Sequence, residues 1–214
     1  MKRTLISFAL VFVTTFTFAQ DDRFTAGMKS ALALMNKAGT AEARLQASNQ
    51  FERIANAEPT QWLPLYYAAH CQLLASFMTK DEDARDPLLD KAQAFLDKAK
   101  GMESADQSEI WALQSYIYQG RVQVSPMIRG MQYGPKASEA AQKAIALNDA
   151  NPRAHLMLGQ NTMYTPSFFG GGEEKACPIL STAKEKLDAF TPSSEIMPSW
   201  GKRRISALAN KCAE

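Results

Sequence analysis

Two histidines, three cysteines and one glycine run are the residues through which this chain of 214 amino acids could do chemistry. The glycines fall in "PSFFGGGEEKA", Pro166 to Ala176. A phosphate cradle needs a strand before its glycines, and a lysine with a hydroxyl residue just after them. Here a helical pattern precedes the run. Glu173 and Glu174 fill the first turn of the next helix, where their charge already answers the helix dipole and repels an anion. The run is therefore expected to be a turn taken at positive φ, with Phe168 and Phe169 folded back onto the flanking helices. His70 stands beside Cys71, but neighbouring residues on a helix diverge, so a cysteine–histidine nucleophile is not expected. Cys71, Cys177 and Cys212 are too widely spaced for a zinc pattern. Asp81-Glu82-Asp83 lacks the glycine and the distant glutamate of a calcium loop. Neither catalysis nor a metal or cofactor is predicted.

The first residues belong to a different class of signal. "MKRTLISFALVFVTTFTFAQ" has a basic start, an apolar run from Leu5 to Phe18 and small residues around Ala19. This is the pattern of a secretory signal peptide over 1–19, cleaved near Ala19. The apolar run is short for a membrane span. The rest, 20–214, is expected to form a single domain in the periplasm or outside the cell, with no span after the leader is removed. Losing Lys2 and Arg3 takes the 24 basic residues to 22, equal to the 22 acidic ones. A neutral chain gives no reason to expect nucleic acid as a partner.

Long helical patterns separated by glycine and proline make the chain all-α, and the pattern repeats. In "ASEAAQKAIALNDANPRAHLMLGQN", Ala137, Ala141 and Ala144 line one helix face. A turn follows, Pro152 opens the next helix, and His155, Leu158 and Gly159 complete the frame. The same frame recurs at Ala47, Phe51, Ile54 and Pro59, at Ala92, Leu96 and Ala99, and at Ala176, Leu180 and Ala183. Gln114 stands where a small residue is expected. These residues resemble the tetratricopeptide repeat (TPR), a helix–turn–helix unit of about 34 residues. The resemblance implies an α-solenoid of about four TPR-like helix pairs from about Phe24 to Phe190. The helix after Pro198, with Ile205, Leu208 and Ala209 inward, would cap it. If that helix packs antiparallel on "EEKACPILSTAKEKL", a disulfide between Cys177 and Cys212 would staple the cap, although the sequence is equally compatible with free thiols. Cys71 reads as a buried thiol.

The last three units exceed the family length, with the excess in "MTKDEDARDP", "VSPMIRGMQYGP" and "TPSFFGGGEE". These inserts should gather on one edge, with Met127, Met131, Tyr133, Phe168 and Phe169 forming an apolar rim. The resemblance also implies a concave groove lined by the first helix of each pair. That frame turns Tyr66, His70, Trp111, Tyr118, Arg153, Gln160 and Tyr164 toward the groove. Such a groove suits an extended peptide, or an apolar ligand with a polar end. The function expected first is an exported, non-catalytic scaffold that holds a protein or peptide partner in the cell envelope. The alternative is a periplasmic accessory subunit of a transporter that holds a small organic molecule, because the glycine turn followed by acids and "KA" is similar to a segment of TRAP-transporter T-components. An enclosed groove would favour the small ligand, and an open groove or a flat apolar rim the protein partner.

Overall fold

The computed structural model describes residues 22–212, so the signal peptide expected at 1–19 lies outside the described residues. Nine α-helices and one 3-10 turn follow each other, with no strand among the described residues. α1 occupies 22–37, α2 Ala41–Ala57, α3 Trp62–Met78, α4 Arg85–Lys100 and α5 Gln107–Val124. α6 is Pro126–Leu147, α7 Pro152–Tyr164, α8 Glu173–Ala189 and α9 Lys202–Lys211. The chain is an α-solenoid: α3 pairs with α4, α5 with α6 and α7 with α8, while the first helices stack, α3 on α5 and α5 on α7. The stacking explains the alanines. Ala47, Ala92, Ala137, Ala141, Ala144, Ala176 and Ala183 are all buried on the second helices, where a larger side chain would hold the helices apart. At Gly159 the approach leaves no space at all: a Cβ there would lie 2.7 Å from Leu180 Cδ2.

Gln114 is accommodated by a partner of its own kind. Its side-chain amide exchanges two hydrogen bonds with that of Gln93, each 2.8 Å, so a polar pair joins α4 to α5 where small residues serve elsewhere. Helix starts follow the capping chemistry of the sequence. Thr40 Oγ1 accepts from Ala43 N, Asp106 Oδ1 from Ser108 N and Glu109 N, and Asn151 Oδ1 from Arg153 N. Two acidic residues near helix starts serve other partners. Asp86 is not a cap, because α4 begins one residue earlier and frees its carboxylate for arginines on α5 and α6. Glu109 does not close a capping box with Asp106, because its carboxylate is bound by Arg153.

The inserts also differ from loops. "VSPMIRGMQYGP" is helical and forms the first turns of α6, with Pro135 inside the helix. Proline at the first helical position, Pro126, costs no hydrogen bond and supports that start. In the glycine turn, Gly170 and Gly172 take φ of 86° and 103°, and Gly171 packs so tightly on Thr165 that a Cβ would meet its carbonyl oxygen at 2.2 Å. The tight turn does not bring the phenylalanines inward. Phe168 and Phe169 form a single 3-10 turn that points them into solvent, 88% and 60% exposed.

After α8 the chain leaves the stack. It runs without regular structure from Phe190 to Trp200, turns at Gly201 and enters α9, which packs on α8 and α7. A disulfide joins Cys177, at the start of α8, to Cys212 just past α9, so the two helices are antiparallel. Ile205 and Leu208 are buried beneath α9, with Ala209 partly covered. Cys71 is a free thiol in the core, and burial pushes its pKa up to about 12.

Candidate functional site

Two surfaces of the stack could hold a partner: the concave face and the edge where the first helices end. On the concave face, Tyr66, Glu109 and Arg153 come from α3, α5 and α7, 43 and 44 residues apart, one per first helix. The Arg153 guanidinium donates to both Glu109 oxygens, Nε at 2.9 and 2.8 Å and Nη2 at 2.5 Å, and the Tyr66 hydroxyl donates to Glu109 Oε2 at 3.1 Å. Both charges are buried. Desolvation pushes the Glu109 carboxyl above its ordinary range, against the pull of Arg153.

This face is already occupied, and its occupant is the irregular segment after α8. Trp200 Nε1 donates to the Tyr66 hydroxyl at 2.7 Å, and the Tyr67 hydroxyl donates to the carbonyl of Ile196 at 2.9 Å. The Trp200 ring stacks on Tyr116, centroids 5.8 Å apart, and lies 4.9 Å from that of His70. The Phe190 ring sits 4.4 Å from the Arg153 guanidinium. Beyond Trp200, Arg204 Nε donates to Gln160 Oε1 at 2.7 Å, and Gln160 Nε2 donates to Gln119. His70 is thus covered on the concave side, and burial drives its pKa down to about 3, so it is neutral.

Of the residues expected in the groove, Tyr66, His70, Arg153 and Gln160 share the concave face and all four touch the C-terminal segment or α9 directly. Tyr164 ends α7 and is exposed, with Arg204 Nη2 3.4 Å from its hydroxyl. Trp111 and Tyr118 do not join them. Trp111 lies between Lys100 of α4 and Lys143 of α6, whose ammonium groups stand 3.9 and 4.1 Å from its ring. Tyr118 packs against Tyr133 on α6, ring centroids 6.0 Å apart. Both stand on the side of α5 turned to the second helices, one helical face away from Glu109 and Tyr116. Reading by residue type missed Glu109, Tyr67, Tyr116, Gln119 and Trp200. A signal existed for Glu109: with the inserts counted in the repeat, it falls in register with Tyr66 and Arg153.

The second surface is bare. Met127, Met131, Gly134 and Ser138 stand at i, i+4, i+7 and i+11 and so share one face of α6. Asn161 Nδ2 of α7 donates to Ser138 Oγ at 2.6 Å and to the Gly134 carbonyl at 3.0 Å, so this face looks toward α7. α6 and α7 are antiparallel, and α7 ends at Tyr164. Met127 and Met131 therefore pass beyond it, at the same end of the stack as the turn that carries Phe168 and Phe169. Met127 is 96% exposed, and Ile128 and Met131 are nearly as open. Tyr133 does not join the rim as expected: half-buried, it stands on the Arg129 side of α6, away from Met127 and Met131, and packs on Tyr118 of α5. On the opposite side Arg129 anchors this end of α6, donating to Asp86 at 2.6 and 2.7 Å. No histidine reaches the rim: His70 is buried and His155 Nε2 lies 2.9 Å from the Asp149 carbonyl oxygen.

No protein-family model matches the chain, and no curated protein does. Solved structures do. The HusA haemophore from Porphyromonas gingivalis superposes with a TM-score of 0.81 and shares 31% sequence identity, over 88% of this chain and 92% of that one. The chain belongs to the HusA family. The helix stack, its terminal cap and the order of its elements are therefore those of a family with a helical fold. Among the described residues of this member, no helix is long and apolar enough to cross a membrane.

Proposed function

We propose that the chain is an exported, non-catalytic binding protein that carries a flat apolar ligand of the haem class on the rim made by α6 and the Phe168–Phe169 turn. The observation that carries this reading is the contrast between the two surfaces: the concave groove is filled by the chain's own segment, whereas Met127, Ile128, Met131, Phe168 and Phe169 stand uncovered at one edge. Exposed apolar clusters of this kind mark binding surfaces. The HusA relative is a haemophore, and the thioethers and rings of the rim suit the face of a macrocycle, because methionine is polarisable and adapts to aromatic surfaces. With both histidines inside the fold, the ligand would be held by its faces rather than by a histidine on iron. The tetratricopeptide kinship belongs to this proposal too, supported by the paired helices and their buried alanines. Export is supported by the leader-like start and by the disulfide, which persists in oxidising compartments.

Titration of the mature protein with haem, followed by the shift of the Soret band, tests the reading. Met127→Asp combined with Phe168→Asp should weaken binding by about tenfold to hundredfold, the loss of one to two buried apolar side chains. Trp111→Ala should leave it unchanged. A haem titration with no saturable shift would overturn the proposal. It would leave the second reading, a protein partner seated on the same flat rim, which the openness of Met127 and Phe168 favours.

A further inference from the structure

The rim has one cation that nothing among the described residues engages. Lys175 and Lys186 are eleven residues apart on α8 and so share a face. Lys186 pairs with Asp149, just past the end of α6, which turns that face toward α6. α6 and α8 run parallel, since each is antiparallel to α7 between them. Eleven residues upstream is about 16 Å along the helix, which sets Lys175 at the level of the Gly134–Ser138 part of α6, toward the rim end of the stack. From the other side its Nζ lies 4.0 Å from the point where a Cβ on Gly170 would be, directly after Phe169. Three charges of the region are committed, whereas Glu174 is exposed at the position before Lys175, where neighbouring helical side chains diverge. Arg129 is held by Asp86, Arg204 donates to Gln160, and Glu173 pairs with Lys211 on α9 at 3.5 Å. Lys175 is exposed and has no ion pair or hydrogen bond among the described residues.

We propose that Lys175 takes a carboxylate of the ligand held on the rim, and so selects porphyrins with free carboxylates over their esters. This rests on the rim reading above. The chemistry is direct. A porphyrin such as haem is apolar on both faces and carries its two carboxylates at one edge. A rim of methionine and phenylalanine with a single ammonium group at its border matches that division. The lysine would also fix the orientation of the macrocycle, which apolar contacts alone leave undefined.

The test compares protoporphyrin IX with its dimethyl ester on the full mature chain, by fluorescence quenching in one buffer, for wild type, Lys175→Gln, Lys175→Arg and Met127→Asp. Wild type should bind the diacid about tenfold more tightly than the ester, the size of one charge-assisted hydrogen bond. Lys175→Gln should lose that preference by weakening the diacid alone, and Lys175→Arg should keep it. High salt should shrink the preference in wild type and have little effect in Lys175→Gln. If Lys175→Gln weakens both ligands alike, or neither, the assignment of Lys175 is wrong, while a loss of both ligands in Met127→Asp keeps the rim. If Met127→Asp changes neither ligand, the rim reading fails and Lys175 falls with it.

Discussion

On the concave face Tyr66, Tyr67, His70 and Tyr116 lie under Trp200 and Ile196; on the rim Met127, Ile128, Met131 and Phe168 lie under nothing among the described residues. The groove has the composition usually taken for a binding site, aromatic rings with a few charged and amide groups. Yet its Tyr66, Glu109, Arg153 and Gln160 are bonded within the chain, and the irregular segment from Phe190 to Trp200 sits where a peptide would. The rim has fewer polar groups and a plainer composition, but its apolar surface is still available. Binding capacity follows what remains uncovered once the chain has satisfied itself, and residue type alone does not report it.

The sharpest way to break this comparison is to attack the groove and watch the rim. Arg153→Ala leaves Glu109 buried with only Tyr66 as a donor, and an uncompensated buried charge costs about 3–5 kcal/mol. Urea unfolding should show a loss of that size. Replacing both charges, Glu109→Leu with Arg153→Met, should cost less than Arg153→Ala alone, because the penalty comes from the orphaned carboxylate. The folded fraction of each variant should bind haem as wild type does. Weakened binding in the folded double variant would move the ligand from the rim to the concave face.

A smaller effect is expected from the staple. The Cys177–Cys212 bridge closes a loop of sequence separation 35, and that loop includes the whole segment that covers the groove. Its removal by Cys177→Ser with Cys212→Ser should cost about 2–4 kcal/mol, through the entropy returned to the unfolded chain. Trp200 should report the change locally: its fluorescence should shift to the red if the segment loosens from Tyr66 and Tyr116 before the stack unfolds. Binding at the rim should persist through that first transition, since Met127 and Phe168 belong to α6 and to the turn after α7.

The sequence carried the helix pairs well, because the signal is steric. An alanine at Ala92 or Ala141 is a small residue on an otherwise apolar helix face, and it stands there because the neighbouring helix comes too close for a larger side chain. The terminal helix was legible through its own apolar spacing, Ile205 and Leu208. The direction of Trp111 and Tyr118 was not. A long first helix such as α5 is covered nearly all round, by α3, α4, α6 and α7, so an aromatic residue on it can serve any face. The helical start of α6 was hidden by Gly130, Gly134 and Pro135, which read as loop residues but are tolerated because Arg129 ties that segment to α4. The occupation of the groove was the least legible feature. It depends on contacts such as Trp200 to Tyr66, 134 residues apart, in a stretch with no periodicity to reveal it.

The smallest effect concerns the anchor of the rim itself. Asp86 accepts two hydrogen bonds from Arg129 and one from Arg121. The bonds from Arg129, more than the charge alone, hold the Asp86 carboxyl below its ordinary pKa. A carboxyl depressed in the folded state adds stability above its unfolded value of about 4 and loses it as the pH falls through the folded value. The site is largely solvated, so the contribution stays below about 1 kcal/mol. Its consequence is local: α6 from Pro126 to Gly134 should open more easily in acid than the rest of the stack. Hydrogen exchange compared at pH 7 and pH 3, after correction for intrinsic rates, should show protection lost in that segment first. Asp86→Asn should show the same loss already at pH 7 and little further change on acidification. If the segment stays as protected at pH 3 as α5 does, the rim is held by its own helix and by the packing of Tyr133 on Tyr118, and Asp86 is only a bystander on its surface.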